Sequence, residues 1–314
     1  MALAPPPWQV SLARLEGALP FLPETLAECL ALASLRRLWH AHVQAYPFEN
    51  IGLEHDAGAD SIELTRSWHT QERTAMLSWL TRVGPPVLAR GASRALAAKG
   101  ARRGGDGAWT TADRALARLD TLLPSRDPVA TLRTWITALR EEDSAFLEGG
   151  SELVTFGGRA FSRFAPRGSA WAASLAVAVR PQLLGLGQAP FVLAGLTPRI
   201  LFRSELDMPL DSLIEQSLTH ALDQAARDLT RLHQALRTAD RALAGLYASS
   251  QAPASWRLIV ALGPLTRAEL GRALGVTART ASQAATVLQE SGLCRLRSGD
   301  HALVPIDGSL VPNC

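Results

Sequence analysis

The sequence predicts a mainly α protein: a multi-helix N-terminal domain, a long connecting helix, and a C-terminal three-helix unit closed by a small β-hairpin. Three observations carry that prediction. Apolar residues recur at helical spacing through most of the chain, in blocks ended by proline or glycine. Between Leu210 and Tyr247, Leu218, Leu222, Ala225, Leu229, Leu232, Leu236, Ala239, Leu243 and Leu246 recur in alternating steps of four and three, uninterrupted by proline or glycine until Gly245. Residues 255–305 read as three short capped helices, followed by two apolar runs flanking Ser298-Gly299-Asp300.

Composition narrows the class. With 47% hydrophobic and 19% charged residues in 314, the chain is no disordered segment and has room for two or three domains. Its basic residues are arginines apart from Lys99, and a net charge of +3 is compatible with a nucleic-acid partner without requiring one. Cys29, Cys294 and Cys314 are far apart, so neither a disulfide framework nor a zinc site is expected, and reduced thiols suit a cytoplasmic location. The first residues lack the cationic start and apolar core of a secretion signal. The most apolar window, Leu183 to Phe202, is broken by Pro190 and Pro198, so it predicts buried short helices and no membrane partner.

In chain order, residues 8 to 46 predict two helices separated by Pro20 and Pro23, with Leu26, Cys29, Leu30 and Ala33 on one face. Glu49, Glu54, Asp56, Asp60 and Glu63 form an acidic stretch near His55 and His69. Successive side chains there point in different directions, so a solvated loop is expected over a metal site. Residues 62 to 82 predict a helix ending at Pro85-Pro86. Arg90 to Gly105 holds five basic residues and no acid, readable as a mobile phosphate-binding arm or as a solvated helix end. Two further helices are expected between Trp109 and Gly149, irregular chain from there to Gly168, and a helix apolar nearly all round from Ser169 to Val179. The eight tryptophans are evenly spread, as core anchors would be. The 211–247 helix admits two readings: a homodimer seam, or a long helix packed on its own domain. Residues 248 to 254 predict a short flexible link.

The C-terminal unit, 249–314, is the most informative. Trp256 to Leu262 predicts a helix ended by Gly263-Pro264. Thr266-Arg-Ala-Glu269 is a capping box, Gly275-Val276 a tight turn, and Thr277 the cap of a third helix burying Ala281, Ala284, Ala285 and Leu288 up to Gly292. Two strands, Leu293 to Arg297 and His301 to Val304, follow. Helix, helix, turn, helix and hairpin in this order predict a winged helix-turn-helix with double-stranded DNA as partner. The outward face of the third helix carries Arg279, Ser282, Gln283 and Thr286, donors suited to base edges; Thr277, Arg295 and Arg297 are expected on the sugar-phosphate backbone. The module's cations are few, which keeps open a winged helix used for protein contacts.

The long helix from Glu215, its link and the helices from Leu258 to Leu296 resemble the C-terminal part of bacterial Fic/DOC-family proteins. They are also similar to bacterial helix-turn-helix proteins with a degenerate Fic-like helical domain. The similarity covers residues 210 to 305 well and the first 200 loosely. The resemblance implies a helical transferase domain moving AMP from ATP to a protein hydroxyl through His-Pro-Phe-x-Asp/Glu-Gly-Asn-Gly-Arg. Neither His-Pro-Phe nor Gly-Asn-Gly-Arg occurs here, and Phe164 to Trp171 supplies no base, carboxylate or glycine cradle. Of the family's inhibitory signature only Glu49-Asn50 is present, with Ala45 at the hydroxyl position.

No phosphate loop, dinucleotide turn or nucleophile elbow occurs, and His40, His42, His220 and His233 fall singly or on different helix sides. No enzyme activity and no cofactor are therefore expected. The leading expectation is a sequence-specific DNA-binding protein, a bacterial transcriptional regulator acting as a homodimer. The alternatives are a Fic-type AMP transferase or a catalytically dead relative, and a structural or assembly factor of a mobile element.

Overall fold

The structure, a computed structural model, describes residues 6–41, 73–100, 110–147, 151–156, 159–164, 170–186, 189–246 and 249–306. Among them are eleven helices and two hairpins. In order they are α1 (Pro7–Ala18), α2 (Glu24–Trp39), α3 (73–83), α4 (Pro86–Ala98), α5 (Thr110–Asp120) and α6 (Pro128–Glu142), then β1 (Ser151–Phe156) and β2 (Arg159–Phe164). They continue with α7 (Ala170–Ala178), α8 (Leu210–Ala242), α9 (Ala252–Leu262), α10 (Arg267–Leu274), α11 (Ala278–Glu290), β3 (Cys294–Leu296) and β4 (Leu303–Pro305).

Proline sets most helix starts. Pro7, Pro86 and Pro128 occupy the first turn, where a missing N–H costs nothing, and Pro209 precedes α8. Asp127 adds a side-chain cap to α6, accepting from the N–H groups of Val129 and Ala130 at 3.0 and 3.1 Å.

The 33 residues of α8 organise the bundle. α1, α2, α6 and α9 all pack against it. The repeating stripe that the sequence offers as a dimer seam is used inside the chain. Leu218, Leu222 and Leu232 are fully buried, Ala225, Ala239 and Leu243 nearly so, and Leu229 and Leu236 half-buried against the same core. Leu246 is the exposed member, at 38%. Of the two readings of the 211–247 helix, this burial supports the long helix packed on its own domain: the same spacing serves a bundle helix covered on several flanks, and it gives no support to a homodimer seam along this stripe. One buried cluster runs from Trp8 to Leu303 and breaks at neither residue 210 nor residue 248.

Nor does the C-terminal unit hang from a flexible link. α9 packs on α2 and α8, and the buried indole of Trp256 donates to the Ala235 carbonyl at 2.9 Å. α10 packs on α4, where the Arg272 guanidinium donates twice to the Ala98 carbonyl at 2.9 and 3.2 Å. α7, apolar all round, is buried at every position except Trp171, with α5 against it.

Two local expectations change. Part of the 149–168 stretch expected to be irregular forms an antiparallel pair, in register from Ser151↔Phe164 to Phe156↔Arg159. Its runs are rich in β-branched and aromatic residues and flank Gly157-Gly158, a hairpin composition. Within the basic run, residues 90–98 belong to α4. Arg94 pairs with Glu28 at 2.9 Å and Arg90 with Glu24 at 3.5 Å, so this part is no free arm. The rest of that run from 101, the acidic stretch 49–63, His42, His55, His69, the Ala45 to Asn50 segment and residues 165–169 lie outside the described residues. No helix among the described residues is long and apolar enough to cross a membrane.

Candidate functional site

Local sequence chemistry builds the 252–306 unit. α9 stops at Gly263, whose φ of +90° and ψ of −161° suit only a residue without Cβ. A Cβ there would stand 2.9 Å from the guanidinium carbon of Arg36, which lies across that turn. The predicted capping box forms: the Glu269 N–H donates to the Thr266 hydroxyl at 3.2 Å, and the Thr266 N–H donates to the Glu269 carboxylate at 2.8 Å. Gly275 takes the left-handed conformation that turns α10 into α11, and Thr277 caps α11 by accepting from the Thr280 N–H at 3.2 Å.

α11 buries Ala281, Ala284, Ala285 and Leu288, as its spacing predicts. The small alanines bring it close to α10 and α9, the helices it packs on. The opposite face carries Arg279, Gln283 and Thr286, all exposed, with Ser282 half-buried at its edge. Among the described elements α11 has its main packing on α9, α10 and β3, and the exposure of Arg279, Gln283 and Thr286 leaves the opposite face open.

The hairpin pairs Cys294 with Pro305 and Leu296 with Leu303. A third segment joins it: Leu265 exchanges backbone hydrogen bonds with Leu303, at 2.8 Å and 3.4 Å. The single residue between Pro264 and the Thr266 cap thus extends the hairpin to three chain segments. Nothing in the sequence marks it, because one residue is too short for strand periodicity.

The seven predicted site residues are not equally available. Arg279, Gln283 and Arg295 are exposed and make no side-chain hydrogen bond or ion pair with described residues. Thr277 is engaged as a cap, and the Thr286 hydroxyl donates back to the Ser282 carbonyl at 3.1 Å. Arg297 is held by Asp300: Nε donates to Oδ1 at 3.0 Å and Nη2 donates to Oδ2. That pairing holds the Asp300 carboxyl down at about 2. Asp300 also accepts from the Ala302 N–H at 3.1 Å, so it fixes the turn as well as the arginine. The sequence contained the signal, Arg and Asp three residues apart across a glycine turn.

Two other charged side chains nearby have side-chain partners. Glu269 takes the Lys99 ammonium at 2.6 Å, and Arg267 reaches Gln289 at 3.4 Å. Cys294 lies in the core, where burial pushes its thiol up to about 12 and leaves it a poor nucleophile. No cluster of three or more histidine, cysteine or acidic side chains able to hold a metal occurs among the described residues. In comparison with known proteins, the chain matches no family model and no curated protein.

Proposed function

We propose that residues 252–306 form a winged helix-turn-helix that binds double-stranded DNA sequence-specifically, in a protein acting as a transcriptional regulator. The observation that carries this reading is the face of α11: Arg279, Gln283 and Thr286 at successive helical turns, exposed and uncovered by any described element. A helix of this kind enters the major groove. Arg279 then meets guanine, Gln283 meets adenine, and the hydroxyls of Ser282 and Thr286 meet either. The capped start of α11 at Thr277 offers its N–H groups to a phosphate, and Arg295 reaches a second from the hairpin. Three chain segments in the hairpin and a three-residue turn between α10 and α11 are what a winged helix requires.

A second reading uses the same surface for protein contact. Its support is the thin charge: with Arg272 on the Ala98 carbonyl and Arg297 on Asp300, Arg279 and Arg295 are the unmatched guanidinium groups of α11 and the hairpin. Two copies on adjacent half-sites would double the phosphate contacts. The surface joining them would lie away from the buried stripe of α8.

Fluorescence anisotropy with random and with selected duplexes, followed over a salt series, separates the two. DNA binding gives a steep fall of log K with log salt and a preferred sequence emerging from selection. A flat response with no enriched sequence favours the protein-contact reading.

A further inference from the structure

The C-terminal ends of α2 and α4, one side of α3 and the Leu262 to Leu265 turn enclose a cavity of about 270 Å³. That lies near the lower end of the roughly 300–1,000 Å³ typical of small-molecule sites, a size suited to one ring or a short branched chain. Most of the wall is apolar, with Trp39, Met76, Leu77, Leu80 and Leu262 supplying its body.

Arg36 and Arg73 also line it, and no acidic side chain does among the described residues. The Arg73 guanidinium lies over the Trp39 ring, 5.2 Å from its centroid, and has no hydrogen bond or ion pair with a described residue. The guanidinium is half-buried on that aromatic face, and the one carboxylate that acts on it, Glu269, is already paired with Lys99, so an anion entering the cavity gains a partly desolvated cation with no ion pair of its own. Two further cations line the cavity, Lys99 paired with Glu269 at 2.6 Å and Arg297 paired with Asp300. His40 on the wall reports the same field: burial, then Arg36 and Arg37, push its imidazole down to about 4, so it adds no charge at neutral pH.

We propose that this cavity binds a small anionic ligand, a compact carboxylate with an apolar body, and that its occupancy restrains the C-terminal hairpin. The carboxylate meets the planar fork of Arg73, with Arg36 beside it, and the body lies against Trp39, Met76 and Leu77. The link to the hairpin is structural. Leu265 lines the cavity and is hydrogen-bonded through its backbone to Leu303, and Arg297 from the hairpin lines it as well. A ligand that prefers this arrangement of Leu265 and Arg297 shifts the population toward it. The inference goes beyond the DNA reading and is tested with no DNA present.

The probe is 4-fluorobenzoate, followed by fluorine NMR on the full chain, with 4-fluorobenzamide as the uncharged match. The acid should bind saturably and about tenfold or more tighter than the amide. Arg73→Gln, with its fold checked by circular dichroism, should remove most of that preference. The acid-against-amide comparison in the unsubstituted protein decides the matter even where R73Q does not fold. No saturable binding of the acid in the millimolar range, or equal binding of acid and amide, overturns the site. Amide hydrogen exchange across residues 294–305 should slow when the acid saturates the protein, and unchanged exchange there overturns the link to the hairpin.

Discussion

Lys99 Nζ stands 2.6 Å from Glu269 Oε1, tying the end of α4 to the first turn of α10. Glu269 serves twice, since its other oxygen closes the capping box with the Thr266 N–H at 2.8 Å. Glu269→Ala should therefore destabilise the protein by about 1–2 kcal/mol, most of it from the cap, with Lys99→Ala costing less because that ion pair is partly exposed. Burial alone would raise the Glu269 carboxyl, but the Lys99 ammonium and the Thr266 N–H outweigh it and hold it below its ordinary value of 4.5. The stability this adds is present above that value and lost as pH falls through the lower folded one. Urea unfolding from pH 6 downward should show a shallower loss for Glu269→Gln than for the unsubstituted chain, and parallel curves would argue against the pairing.

The Arg37–Asp228 pair is of a different kind. Asp228 is buried at 2% exposure on α8, and Arg37 of α2 reaches both of its carboxylate oxygens, Nη2 to Oδ1 at 2.6 Å and Nε to Oδ2. Removing one partner leaves the other charged in a low-dielectric interior, so Asp228→Ala should cost about 3–5 kcal/mol. Replacing both partners with apolar residues of similar volume, Arg37→Met with Asp228→Leu, should recover most of that loss. A double variant no more stable than Asp228→Ala would show that the site needs polarity for some other reason.

Much of the C-terminal unit was legible because local chemistry alone fixes it. Thr266 with Glu269, Gly275, Thr277 and Gly292 mark helix ends through backbone hydrogen bonds or positive φ, which depend on a few neighbouring residues. The partner of the α8 stripe was not legible. Leu222 and Leu232 have the same spacing whether a second copy or α1, α2 and α9 cover them, and only tertiary packing decides. The cavity was invisible for the same reason: Arg36, Arg73 and Leu265 come from three separate segments, and nothing in any one of them marks a site. Position on a strand suggests a phosphate contact for Arg297 but does not show that the turn residue Asp300, three positions on, pairs with it.

His40 gives a second pH test, at the cavity wall. Burial first, then the Arg36 and Arg37 charges, lower its imidazole from 6.5 to about 4. The unfolded chain binds a proton near 6.5 and the folded chain does not, so stability is fully present above that value and falls as pH drops toward and through 4. His40→Gln should flatten this fall, and the His40 ring proton should titrate near 4 by NMR. A midpoint at the ordinary histidine value would place the ring in solvent. An anion held by Arg36 and Arg73 should raise the midpoint, which gives an independent reading of occupancy.

The hairpin offers the sharpest test of the proposed DNA contact, because Asp300 neutralises Arg297, one of the two hairpin arginines that this proposal would set against phosphate. With its carboxyl held at about 2 by Arg297, the pair stays ionised through the neutral range. Arg297→Ala alone should then change DNA affinity little, while Arg295→Ala should weaken all duplexes alike. Arg279→Ala should lose about 1–3 kcal/mol at one base position only. Asp300→Asn keeps a side-chain oxygen to accept from the Ala302 N–H, now at 3.1 Å, and so preserves the turn. It also frees Arg297 and removes a negative charge from the hairpin tip. Affinity for random and selected duplexes should rise together, and the slope of log K against log salt should steepen by about 1. Adding Arg297→Ala to Asp300→Asn should cancel that gain. An unchanged slope in Asp300→Asn would take the hairpin off the DNA and leave α11 as the sole contact.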